Sequence, residues 1–332
     1  MKSARKGRQG FTVTELLVVI VVMGILIALL LPAVRRARES ARKTQCRNNL
    51  KNLALAVHEF SEAYTHFPPS SDVWGRMKES NRVEIDRATS WGTAIFNYID
   101  AGPGLPKDLF LEAPFSKVNA EIVGREVATF HCPSVPETRL PNIFRMPKGT
   151  VLYPPFSTAE EYSTKYGASD YIVHCGVAKG FREAAFRGHP EPKKFEGALG
   201  PIKFTPDEAL ADAMKRELGE VPPSGDSSFK DVTDGDANTL LISECAGRNE
   251  LWRKGKKISE RQDPVAFAKQ KMMGGGGWAD PLNQAWINGR QMDGTGANGP
   301  CAFNCSNEPD AGLYSFHRKG AHAALVDGSV RF

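Results

Sequence analysis

Residues 11–31, FTVTELLVVIVVMGILIALLL, form one apolar run broken by a single charge, Glu15. As a helix rising about 1.5 Å per residue, the run spans roughly 31 Å, enough to cross the hydrocarbon core of a bilayer. Beyond it the pattern changes. From Ala33 to Tyr64 there is no Gly or Pro, and Leu50, Leu53, Ala54, Val57, Phe60 and Tyr64 recur at three- and four-residue steps. That spacing is one stripe of an amphipathic helix, and Phe67-Pro68-Pro69 ends it. The predicted helix therefore covers 11–64, half in lipid and half packed on a soluble domain, with a kink near Pro32.

Residues 67–332 are rich in Gly, Pro and short apolar runs. Ala128–His131, Tyr171–His174, Thr239–Ser243 and Ala323–Val326 read as strands, the last entering an Asp-Gly turn into Ser329–Phe332. The stretches 135–160, 178–230 and 247–272 read as long loops or insertions. Gly274–Gly277 lacks the Lys-Ser/Thr of a phosphate loop and reads as a flexible loop. The fold class is α+β, an antiparallel β-rich domain leaning on the N-terminal helix. Four segments follow: a leader 1–10, an apolar helix 11–31, its amphipathic continuation 32–66 and a β-rich domain 67–332.

Charge sharpens this division. The chain of 332 residues carries 43 Lys+Arg against 38 Asp+Glu, a formal +5. Residues 1–51 hold 11 basic side chains with only Glu15 and Glu39 as acids, so the body is mildly acidic. An acidic body disfavours nucleic acid as a partner. Arg35, Arg36, Arg38, Arg42 and Lys43 follow the apolar run and nearly balance the basic leader, so the charge asymmetry does not set an orientation. They form a collar suited either to anionic headgroups or to solvent.

The chemistry offered by the body is sparse. Six cysteines occur, Cys46, Cys132, Cys175, Cys245, Cys301 and Cys305. If the body is exported, an oxidising compartment favours disulfides, but six cysteines allow fifteen pairings. Cys46–Cys132, tying the helix to the domain, and a local Cys301–Cys305 are the expected pairs, with inert thiols as the alternative. Cys301-x3-Cys305-x11-His317-x4-His322 comes nearest to a zinc spacing, but the histidines flank a strand–turn–strand pattern rather than ride a helix. Asp327 is a candidate for a cation such as calcium. The preferred reading has no metal and no cofactor, with His317 and Asp327 fixing a β-hairpin. In His131-Cys132 and His174-Cys175, neighbouring strand residues point to opposite faces, so neither dipeptide is its own catalytic pair. Asn304-Cys305-Ser306 has the form of a glycosylation sequon. No nucleophile elbow, His-Glu metal helix or phosphate loop occurs, which argues against an enzyme.

The N-terminal residues resemble the type IV prepilin family, whose pattern is a short basic leader, Gly, Phe, Glu at the fifth mature position and a long apolar helix. Gly10, Phe11 and Glu15 stand in that register, and Pro32 occupies the position where pilins commonly carry a kinking proline. The resemblance implies cleavage between Gly10 and Phe11 by a prepilin peptidase and N-methylation of Phe11. It also implies that Glu15 neutralises a Phe11 amine during assembly with other pilin-like subunits. Cleavage would leave 39 basic against 38 acidic side chains.

Further along, Thr44-Gln45-Cys46, Asn48-Asn49-Leu50-Lys51 and Phe67-Pro68-Pro69 resemble the large prepilin-like proteins whose ectodomain is a domain of unknown function (1559). Ser90-Trp91, Phe130-His131-Cys132-Pro133-Ser134, Asp234-Gly235 with Asn238-Thr239, and the final His317-x9-Asp327-Gly328 are similar to elements of that family. Asp236 and Ala237 depart from its usual form. The resemblance implies a pilin-like or pseudopilin-like structural subunit of a type II secretion or type IV pilus-type filament. It would be a single-pass inner-membrane protein with a cytoplasmic N-terminus and an exported domain. The alternative is a membrane-tethered module binding an extracellular ligand such as a carbohydrate, with five tryptophans as stacking surfaces.

Overall fold

The computed structural model describes residues 12–99, 118–136, 142–185, 197–200, 202–218, 226–248, 250–259 and 274–332. Helix α1 runs from Val13 to Tyr64, 52 residues, with Pro32 inside it. The expected start at residue 11 lies outside the described residues; at Val13, Thr12 and Glu15 form a reciprocal cap. The Thr12 backbone N–H donates to Glu15 Oε2 at 2.9 Å, and the Glu15 N–H donates to Thr12 Oγ1 at 3.3 Å. Two donors that a helix N-terminus leaves open are thereby satisfied. At the other end Thr65 takes φ 65°, and its N–H donates to Ser61 O at 2.8 Å. This left-handed residue closes the last turn before Pro68 and Pro69.

Two compact units divide the chain, Met1–Thr44 and Gln45–Phe332. In the first, α1 has no covering layer: Val13 is 82% exposed and Leu29 70%. In the second, α1 becomes a core element. Leu50, Leu53, Ala54, Val57 and Phe60 are buried, while Tyr64, the last of the predicted stripe, is exposed. Each fully buried aliphatic or aromatic side chain contributes about 2 kcal/mol.

In chain order, the second unit continues with β1 (Ser71–Lys78), β2 (Arg82–Ser90), the short helices α2 (Trp91–Ala94) and α3 (Ala120–Val123), β3 (Asn142–Met146), β4 (Val151–Tyr153), β5 (Phe156–Thr158), β6 (Tyr162–Tyr166) and β7 (Tyr171–Val177). Next come α4 (Lys179–Ala185), β8 (Lys203–Pro206), α5 (Glu208–Leu218), β9 (Leu240–Glu244), β10 (Leu251–Arg253), β11 (Lys256–Ser259), β12 (Gln284–Ile287), β13 (Ala323–Leu325) and β14 (Val330–Arg331).

Two five-stranded sheets result, ordered β4-β5-β2-β1-β8 and β12-β7-β9-β13-β14, beside two-stranded ribbons β3-β6 and β10-β11. Both sheets are mixed. β1 pairs with β8, β2 with β5 and β7 with β12 in parallel, and the other ladders are antiparallel. The main core joins the helix stripe to Tyr171 and Val173 of β7, Leu241 and Ile242 of β9, and Ala324 and Val326 at β13. Polar contacts set the helix in register. Lys51 Nζ donates to Gly328 O at 2.8 Å, and His58 Nε2 lies 2.8 Å from Val326 O.

Two local expectations fail. Ala128–Phe130 is a 3-10 turn, not a strand, because Phe130 must enter the core, where it stacks on Trp278 and meets the edge of Trp91. The supposed loops also contain structure. α5 lies within 178–230, with Leu210, Ala213 and Met214 buried and Asp207 Oδ1 accepting from the Leu210 N–H at 2.8 Å. Strands β3, β4 and β5 lie within 135–160, and β10 and β11 within 247–272.

Candidate functional site

Gly10 and Phe11 lie outside the described residues. The remaining processing and assembly residues sit on α1. The Glu15 carboxylate is engaged by Thr12, whose hydroxyl donates to Oε2 at 2.8 Å. A threonine directly after Phe11 therefore gives the carboxylate a local partner that its solitary position in the apolar run did not reveal. Val13–Tyr64 is the only helix among the described residues that is long and apolar enough to cross a membrane, and none of its apolar stretch is buried.

The second locus lies inside the Gln45–Phe332 unit, where four distant segments meet. Cys46 comes from α1, Cys132 from the turn after Phe130, Glu244 from the end of β9, and His317 from the approach to β13. Their ligand atoms all lie within 4.8 Å of one another. Cys46 Sγ donates to Cys132 Sγ at 2.9 Å, and Cys132 Sγ lies 3.7 Å from His317 Nε2. That same Nε2 lies 3.4 Å from Glu244 Oε1. His322 Nδ1 reaches Glu244 Oε1 at 3.2 Å, and its backbone N–H donates to Oε2 at 2.7 Å.

The surroundings hold these groups in place. Cys132 N–H donates to Asp170 Oδ2 at 2.6 Å, while Asp170 Oδ1 accepts from Gly247 N–H at 2.8 Å. His317 Nδ1 lies 3.3 Å from Ser134 Oγ. The cluster is closed to solvent: Cys46 and Glu244 are 0% exposed, Cys132 1% and His317 3%. Burial by itself would raise the Glu244 carboxyl, but hydrogen bonds from His317 and His322 bring it down to about 2. The Cys132 thiol is pushed well up by its hydrogen bond to Cys46 and by burial.

Cys132, His317 and Glu244 do not form a nucleophilic triad. Thiol and carboxylate meet the same imidazole nitrogen, so no proton relay runs through the ring, and no substrate reaches the site.

Other sequence candidates fall elsewhere. Cys301 and Cys305 are joined by a disulfide with Cα atoms 6.2 Å apart. The Cys301/Cys305/His317/His322 spacing therefore does not assemble as one site, because the sulfurs are bonded to each other and both histidines turn to Glu244. Asp327 lies in the exposed β13–β14 turn, where its Oδ1 accepts from Ser329 N–H at 2.8 Å, while Lys51 holds Gly328 O. Asp327 thus caps the hairpin turn, while the His317 ring lies 6.5 Å from that of Phe332 at the hairpin's end. Cys175 Sγ donates to Gln284 Oε1 at 2.8 Å, and Cys245 Sγ donates to Asn307 O at 3.5 Å. Asn304 of the sequon is committed on both sides, Nδ2 to Gly320 O and Oδ1 from Ser315 N–H. The part played by Glu244 escaped the sequence reading. Its signals were an acid ending the largely apolar strand Leu240–Glu244 and a place in the segment, with Asp234-Gly235 and Asn238-Thr239, that is similar to the large prepilin-like family.

A cleft of about 400 Å³ opens elsewhere on the same unit, with Phe60, Tyr64 and Tyr98 beside Asp72, Arg87 and Lys203. No tryptophan lines it. Trp91 and Trp278 are wholly buried, whereas Trp74 and Trp286 are exposed.

An uncovered apolar helix with a cap at its start, together with a β-rich unit built around its second half, defines a pilin-like α+β protein. The chain belongs to the family described as protein of unknown function (DUF1559), which matches residues 35–332, and residues 5–31 match the prokaryotic N-terminal methylation motif. It is similar to the type II secretion system core protein G of Pseudomonas aeruginosa, 27% identical over 122 residues, covering 32% of this chain and 83% of that protein. No solved structure matches the chain.

Proposed function

We propose that this protein is a pilin-like or pseudopilin-like structural subunit rather than an enzyme. A prepilin peptidase cuts between Gly10 and Phe11, and the new Phe11 amine is methylated. Before cleavage the chain spans the inner membrane once, N-terminus inside and β-rich domain exported. Helix 11–31 then leaves the bilayer and packs among like helices in a type II secretion or type IV pilus-type filament. The observation that carries this reading is the bare apolar surface of α1, which includes Val13 at 82% and Leu29 at 70% exposure. Such a surface is stable only in lipid or against other apolar helices. Glu15 suits the assembly step because a carboxylate in low dielectric gains from pairing with a neighbouring amine. The methylation motif and the likeness to a secretion core protein support the same reading.

The test is intact mass of the membrane-extracted chain with and without prepilin peptidase. The expected product lacks residues 1–10 and carries one added methyl group. Glu15→Ala should still be cleaved yet enter filaments poorly; wild-type assembly of that variant would refute the pairing role. A second reading, a tethered module for an extracellular ligand such as a carbohydrate, is supported by the aromatic and charged cleft beside Phe60. Binding in a glycan array that is lost in Tyr98→Ala would favour it.

A further inference from the structure

We propose that Cys46, Cys132, His317 and Glu244 form a closed structural zinc site that clamps the second half of α1 to the β-rich unit. Four donors on one tetrahedral zinc, with bonds of about 2.0–2.3 Å, lie roughly 3.3–3.8 Å apart. The measured separations straddle that range: 2.9 Å between the sulfurs, 3.7 Å from Cys132 Sγ to His317 Nε2, and 3.4 Å from that nitrogen to Glu244 Oε1. Opening the sulfur pair by less than about 1 Å brings these three pairs into that range, and every other pair already lies within 4.8 Å.

Two thiolates, an imidazole and a carboxylate form a donor set suited to zinc. The supporting groups also match a metal centre. Nδ1 of His317 faces Ser134 Oγ while its Nε2 turns to the cluster, and Glu244 is oriented by the His322 backbone N–H on Oε2 and His322 Nδ1 on Oε1, whose remaining lone pair faces the cluster. Such outer partners orient the ligands of metal sites. A disulfide between Cys46 and Cys132 would use two of the four groups. It would leave the Glu244 group to its bonds from His317 and His322 and would not account for His317 Nε2 facing Cys132 Sγ at 3.7 Å. All four positions come from protein and none is exposed, so the site holds structure and does no chemistry. Binding displaces the protons of both thiols to solvent as two Zn–S bonds form.

The full-length chain, carrying no histidine tag, is extracted in detergent, and its metal is measured by mass spectrometry. One zinc per chain is expected, with both thiols blocked from alkylation until a chelator is added. Cobalt replacing zinc should show sulfur-to-cobalt charge-transfer absorption, reduced in Cys46→Ser. Ser134→Ala, which leaves every ligand in place, should release zinc to a chelator about 10-fold more readily. An intact mass under non-reducing conditions that reveals a Cys46–Cys132 disulfide overturns the proposal. Zinc content unchanged in both Cys132→Ser and His317→Ala overturns it as well. Should those variants fail to fold, a wild-type cobalt spectrum without the sulfur band does the same.

Discussion

Replacing Asp280 by Asn, and separately His174 by Gln, should uncover two proton linkages that nearly cancel in the wild-type protein. Asp280 is fully buried, and its carboxylate accepts from Gly275 N–H at 2.5 Å and from Leu282 N–H at 2.8 Å. Burial outweighs those bonds and raises its pKa from 3.8 to about 6. His174, 4% exposed with Nε2 2.8 Å from Ser243 Oγ, is pushed down from 6.5 to about 4 by burial and then by the Arg248 charge. A shift of one unit corresponds to about 1.4 kcal/mol.

For Asp280 the native state binds the proton more tightly. Its contribution, about 3 kcal/mol, is therefore present at pH 4 and lost as pH rises through 6. For His174 the unfolded state binds the proton more tightly, so about 3 kcal/mol is present above pH 6.5 and lost as pH falls through 4. Urea unfolding of the full-length chain in detergent, followed by tryptophan fluorescence at half-unit pH steps, measures both. Relative to wild type, Asp280→Asn should lose stability by about 1.4 kcal/mol per pH unit on acidification from 6 to 4, and His174→Gln should gain at a similar slope. Taking differences from wild type cancels every linkage the proteins share. A flat difference curve for Asp280→Asn across pH 4–6 would show that its carboxyl titrates as an ordinary surface acid, and the burial argument would fail.

Arg290 is 2% exposed and bonds to Glu308 Oε2 at 3.1 Å and to Asp310 Oδ1 at 2.5 Å. Arg290→Ala should cost about 3–5 kcal/mol in urea unfolding by leaving Asp310 without its cation and Glu308 with only Arg253, 3.5 Å away. A double change that also neutralises Glu308 should recover part of that loss. At Gly92 an added Cβ would stand 2.2 Å from Trp278 O, a backbone atom that cannot swing aside. Gly92→Ala should therefore destabilise by about 1–3 kcal/mol, with a changed fluorescence of buried Trp278 as its local signature.

The helix was legible because its two halves speak in different patterns: an unbroken apolar run needs lipid or other helices, and a stripe at helical spacing needs a core. Leu50 through Phe60 reported their burial directly. The C-terminal hairpin was legible through Asp327-Gly328. Helix α5 was missed although Leu210, Ala213 and Met214 carry helical spacing and Asp207 stands at the cap, because proline and charge in the flanking stretches dominated the reading. Phe130 was misassigned because a short apolar run does not distinguish a strand from a turn that plugs a core. The cysteine–histidine cluster was hidden for a topological reason. Its members are separated by up to 271 positions in sequence, and only the packing of α1 on the β9–β13 edge brings them within 4.8 Å. Local spacing drew His317 toward Cys301 and Cys305, which are bonded to each other.

That packing also bears on how the second half of α1 is fixed in the β-rich unit. An apolar stripe is non-directional, so α1 would lose little by sliding one turn, about 5.4 Å, along its groove. The polar contacts remove that freedom. Asn49 Nδ2 donates to His131 O at 2.9 Å, Lys51 Nζ to Gly328 O at 2.8 Å, and His58 Nε2 lies 2.8 Å from Val326 O. With Cys46 against Cys132, these attachments occupy more than three turns of the helix and reach two separate chain segments, 131–132 and 326–328. A one-turn slip breaks all of them together and leaves buried groups without partners, at about 1–3 kcal/mol each. Burial thus supplies the attraction that holds the second half of α1 in the domain, and the polar contacts supply its register. The cysteine pair lies at the end of this set closest to the apolar half, where a metal clamp would add most to the resistance against a pull on the helix.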